Sequence, residues 1–170
     1  MDRAAFIRTL SVTGLAAAMP SILQGATILP YDLNNMDQKP APLSPELVRN
    51  FVIAGHNDLE KVKTMLAADP GLLNASWDWG GGDFEMAIGG AGHMGRADIA
   101  EYLIAQGGRF DLFVAAMLGQ LDVLKAMVAL DPAVIRSKGP HGISLLAHAL
   151  KGGDRALPVQ EFLKESGLEE

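Results

Sequence analysis

A chain of 170 residues that is 49% hydrophobic but only 6% aromatic suits one domain plus an appendage, with an interior of Ala, Leu, Val, Ile and Met in place of large rings. Its formal net charge of −6 repels phosphate backbones and anionic membrane surfaces, and no Lys/Arg cluster offers a local exception. The absence of Cys rules out disulfides, thiolate metal sites, lipid attachment through Cys and Cys nucleophiles.

Residues 1–26 have the layout of an export signal: a charged start with Arg3 and Arg8, a mild apolar run from Leu10 to Met19, then Pro20 and small residues up to Ala26. The run is shorter than the roughly 20 apolar residues that a membrane-spanning helix needs. Arg3, Phe6, Ile7 and Arg8 resemble the twin-arginine signal, with Ala4 in place of its second arginine, which leaves the route of export open. An amphipathic helix docked on the first repeat is the competing reading. The expected location is outside the inner membrane, in the periplasm, with the cytoplasm as the alternative.

Residues 27–45 carry Pro30, Pro40, Pro42 and Pro45 with Asn34-Asn35 and few apolar residues, a linker composition that cannot support its own core. Ser44-Pro45-Glu46 supplies an N-cap, a proline at the first helical position and an acid in the first turn, so the folded part, residues 46–168, begins there.

Four times, a cluster of small residues ends one predicted helix and an amphipathic second helix follows: Ile53–Asn57 before Asp58–Leu66, Ala91–Gly95 before Arg96–Ile104, Ala115–Gly119 before Gln120–Val128, and Ala149–Gly153 before Asp154–Leu163. Apolar residues spaced by three and four, such as Leu59, Val62, Met65 and Leu66, line one face of each second helix, and one hairpin alone cannot cover that face. Asn57, Gly95 and Gly119 stand where the reversal calls for positive φ. Asp69-Pro70 and Asp131-Pro132 stop two of the second helices, and Gln106-Gly107-Gly108 stops another.

This pattern resembles the ankyrin repeat, with Gly142–Ala149 and Ile99–Gly107 as its nearest matches, although no unit carries Thr-Pro-Leu-His intact. The resemblance implies an all-α solenoid of about four stacked antiparallel helix pairs that binds a protein. The repeat origins lie 38 and then 24 residues apart against the family's roughly 33. One long loop is therefore expected between the first two units, and a β-hairpin finger is expected to be missing between the second and third.

The long loop holds both tryptophans and three consecutive glycines in Trp77-Asp78-Trp79-Gly80-Gly81-Gly82-Asp83-Phe84-Glu85. A glycine hinge presenting two amphipathic rings and carboxylates suits a partner-binding hot spot, and the plainer alternative is a tryptophan folded back over the first hairpin pair. The candidate partner-binding residues are Trp77, Trp79, Asp83, Glu85, His93 and His141. The alternative function is a small-ligand site or unrecognised enzyme with a pocket near Trp79, His93, Asp111 and His141. His56, His93, His141 and His148 show no metal-ligand spacing along the chain, so they read as residues that tie turns together. Asp58, Asp98 and Asp122 read as helix caps, and no catalytic residue, metal or cofactor is expected.

Overall fold

In the computed structural model, residues 40–168 are described, so the segment 1–26 expected to be an export signal and residues 27–39 of the expected linker lie outside them. The expected repeat domain falls within one compact unit, Ala41–Glu170.

Ser44 opens the fold by accepting the Leu47 amide at 3.2 Å, with Pro45 at the first helical position of α1 (Pro45–Gly55). Asp58 caps α2 (Leu59–Ala68) by accepting the Lys61 amide at 3.0 Å, and Asp69-Pro70 ends it as expected. Then follow α3 (Ala87–Met94), α4 (Ala97–Ala105), α5 (Leu112–Met117), α6 (Leu121–Leu130), α7 (Leu145–Lys151) and α8 (Leu157–Glu165). The glycine turns form where the sequence placed them, with Gly95 and Gly119 both at φ +73°. Asn57 does not adopt positive φ. Instead α1 ends through His56, whose backbone stays right-handed at φ −71° while its Nδ1 donates to the Val52 carbonyl at 2.9 Å.

The first helices of the four pairs pack on one another in chain order, α1 on α3, α3 on α5 and α5 on α7. On the outer side α2 packs on α4 and α6 on α8. One contact skips a unit: α3 also reaches α7, across an α5 of only six residues. The helix between them joins two cores. Val114 and Met117 of α5 belong to a cluster with Phe51, Val62, Ile99 and Leu103, while Ala115 and Ala116 belong to a second cluster with Leu124, Leu145 and Leu163.

The protein is mostly helical, compatible with the all-α expectation, and a small sheet stands where one long loop was expected. The segment between the first two pairs forms a two-stranded antiparallel sheet, β1 (Ser76–Asp78) and β2 (Phe84–Met86), with Trp77 opposite Glu85. A shorter finger precedes α7, where a 3₁₀ turn at Pro140–Gly142 is closed by a bridge between Lys138 and Ser144. Between α4 and α5 no strand is present among the described residues. No helix among them is long and apolar enough to cross a membrane.

Candidate functional site

Strand alternation places Glu85 on the opposite face of β2 from Phe84 and Met86, which turns its carboxylate inward, where it is 1% exposed. Buried carboxylates need partners, and this one is ringed by them. The Trp79 indole N–H donates to Oε2 at 2.8 Å, and His93 Nε2 lies 2.9 Å from Oε1. His56 Nε2 and His141 Nε2 each stand 3.4 Å from Oε2.

Each member arrives from a different element. Gly80, Gly81 and Gly82 all take positive φ, which reverses the chain tightly enough to fold Trp79 back over the site, and Asp78 Oδ1 accepts the Gly80 and Gly82 amides at 2.8 and 3.2 Å. His56 follows the last residue of α1, and its ring fits because Gly90 of α3 has no side chain: a Cβ there would lie 2.7 Å from His56 Nδ1. His93 occupies the last turn of α3.

His141 comes from the second finger and is the one non-glycine residue at positive φ among the described residues, at +59°. Such a conformation costs on the order of 1 kcal/mol or more and persists where the surroundings impose it. Asp83 imposes it, accepting the His141 amide at 2.9 Å through Oδ1 and its Nδ1 at 2.7 Å through Oδ2. The three imidazole rings also pack edge to face, with His56 to His93 centroids at 4.9 Å and His93 to His141 at 5.4 Å, beside Trp79. One ligating atom from each of His56, Glu85, His93 and His141 lies within 4.8 Å of every other.

Electrostatics follows the geometry. Burial pushes the Glu85 carboxyl up, but the hydrogen bonds from His93 and Trp79 and the attraction of the His56 and His93 rings outweigh it, holding the group below its ordinary value. Asp83 is also held low, first by the His141 amide and then by the His141 ring, against a partial desolvation. Behind His93, at 6.3 Å between ring centres, lies His148, which donates Nδ1–H to the Ser144 carbonyl at 2.8 Å. Its Nε2 is buried without a partner, and burial pushes its pKa down.

Of the residues singled out from sequence, Trp79, Asp83, Glu85, His93 and His141 come together, and Trp77 lies half-buried against the first core cluster. Glu85 is too deeply buried to touch a partner protein. Asp111 stands apart as the N-cap of α5, accepting the Phe113 and Val114 amides at 3.0 Å. Asp98 does not cap α4: its carboxylate pairs with the Arg96 guanidinium at 2.9 and 2.7 Å.

Spacing along the chain had suggested no metal-ligand set, whereas the fold gathers three imidazoles and a carboxylate. His56 is the residue sequence reasoning passed over. The usable signal was repeat position: His56 and His93 stand one and two residues before the turn residues Asn57 and Gly95, so stacking α1 on α3 brings them side by side. Comparison with family models, with curated proteins and with solved structures gave no match to this chain.

Proposed function

We propose that this protein is a non-enzymatic binding module of ankyrin type, and that its ligand is a metal cation held where the first finger closes over the ends of α1 and α3. One observation carries this reading. His56 and His141 each commit the Nδ1 proton to an acceptor outside the cluster, the Val52 carbonyl and the Asp83 carboxylate, and both turn Nε2 toward the same buried oxygen of Glu85.

In the neutral ring Nδ1–H donation leaves a lone pair on Nε2, so two imidazole lone pairs face a carboxylate lone pair unless a proton or a metal ion lies between them. The 3.4 Å separations exceed the ~2.7–2.9 Å of a charge-assisted hydrogen bond, so neither contact is one in which a proton is shared well. A cation between these atoms converts the repulsion into coordination. The supporting groups also match metal sites in general, where a ligating histidine donates its other N–H to a carbonyl or carboxylate that fixes its orientation. The test is equilibrium dialysis of the full chain against divalent ions after chelator treatment. One ion per chain, lost in Glu85→Gln, is the expected result, and no ion retained by the wild type refutes the reading.

A separate feature supports a second reading, the binding of a partner protein. Where the finger between α4 and α5 is missing, Phe110, Phe113, Val123, Met127 and Val134 line an open cavity of about 530 Å³, and Phe110 and Met127 are exposed. A Met127→Asp chain that keeps its helicity and its bound ion but loses a partner held by the wild type is the result this reading expects; equal retention by both chains excludes that surface.

A further inference from the structure

Resting on the cation-binding reading above, we infer that the ion is zinc(II) or a close tetrahedral equivalent, held by four protein ligands, His56 Nε2, one Glu85 oxygen, His93 Nε2 and His141 Nε2, and that it staples the two fingers together instead of catalysing a reaction. The donor set is three nitrogens and one oxygen. Magnesium and calcium take oxygen ligands, whereas imidazole suits zinc and its first-row neighbours.

Spacing narrows the choice further. Ligands ~2.0–2.1 Å from a tetrahedral ion stand about 3.3–3.4 Å from one another. In an octahedral shell of the same bond length, neighbouring ligands stand only about 3.0 Å apart. The two Nε2 to Oε2 separations of 3.4 Å match that tetrahedral spacing, and the four ligating atoms, which lie within 4.8 Å of one another, draw in around the ion to complete it. His93 Nε2 lies 2.9 Å from the other oxygen of Glu85, so it joins the shell by a shift of its ring toward the ion, with its proton carried on Nδ1. The Trp79 N–H remains on Glu85 as an orienting donor, and Asp83 does the same for His141.

Four protein ligands fill a tetrahedral shell, which is the arrangement of structural sites; catalytic sites keep a position for water. The origin of the ligands fits that role. They come from the end of α1, from β2, from the end of α3 and from the finger before α7, so one ion spans segments from His56 to His141 and bypasses the unit that has no finger. The strained His141 backbone is the part of the shell most dependent on its support, because only Asp83 binds both its amide and its ring. Entry is from the side of His141, whose side chain is 33% exposed while that of Glu85 is 0% exposed.

Cobalt(II) is the probe, because tetrahedral cobalt absorbs visible light strongly and six-coordinate cobalt weakly. The expected result for the full chain is one cobalt per chain with the intense four-coordinate spectrum, displaced by equimolar zinc and unaffected by a large excess of magnesium or calcium. Zinc should also slow proteolysis at Gly80–Gly82 and raise the melting temperature. Asp83→Asn, which leaves all four ligands in place, should weaken zinc binding roughly 10- to 100-fold. Circular dichroism of the metal-free Asp83→Asn and Glu85→Gln chains separates loss of binding from loss of fold. A weak six-coordinate cobalt spectrum, effective competition by magnesium, or unchanged proteolysis of the finger overturns this inference while leaving cation binding intact. Failure to bind any divalent ion removes both.

Discussion

Replacing Gly55 by Ala tests the stacking of the helix pairs directly. Gly55 ends α1 against the start of α3, and a Cβ there would stand 2.6 Å from Ala87 Cα and 2.7 Å from its carbonyl carbon, with the carbonyl oxygen nearer still. Carbon atoms in good contact are about 3.5–4.0 Å apart, so the overlap is close to 1 Å. The opposing atoms are backbone, and no rotamer change can relieve them. Overpacking of a core costs about 1–3 kcal/mol, and a clash that moves a whole helix belongs at the upper end. Better helix propensity returns at most about 1 kcal/mol. The net loss is then about 2 kcal/mol, or a fall in melting temperature on the order of 8 °C for a domain of this size.

Gly89→Ala supplies the opposite sign within the same structure. Its Cβ would meet Glu85 Cγ at 3.4 Å, an ordinary contact, so the propensity gain of about 0.5–1 kcal/mol should survive as a neutral or stabilising change. Both are read by calorimetry of the metal-free chain. Equal shifts for the two variants, or no loss from Gly55→Ala, would refute close helix approach as the reason for glycine at the end of α1.

Trp79→Phe keeps an aromatic cover but removes the donor to Glu85, and should cost about 1.5–3 kcal/mol in urea unfolding because the acceptor is a buried charge. Trp77 remains as the fluorescent reporter of that transition. Gly90→Ala should push the His56 ring outward and weaken ion binding while helicity is retained, measured by dialysis beside circular dichroism. His148 makes stability depend on pH. Its pKa is lowered by burial, so the unfolded chain takes up the proton first as pH falls; the contribution is complete above about pH 6.5 and is lost below it, at no more than about 1.4 kcal/mol per pH unit. Urea midpoints of the wild type should therefore fall more steeply than those of His148→Leu on acidification from neutrality, and parallel curves would show that His148 does not titrate on unfolding.

Punctuation and periodicity were legible in the sequence because they are local. Ser44 and Asp58 cap helices, Asp69-Pro70 and Asp131-Pro132 end them, and Gly95 and Gly119 reverse the chain, all through atoms within a few residues. The shared apolar faces then required neighbouring hairpins to cover one another. The site was not legible in this way. A three-residue strand decided that Glu85 faces inward, a missing side chain at Gly90 decided that the His56 ring could enter, and a strained turn held by Asp83 decided where His141 points. Those distances close between residues as far apart as 58 positions in the chain, so they depend on how the units stack and have no counterpart in local spacing.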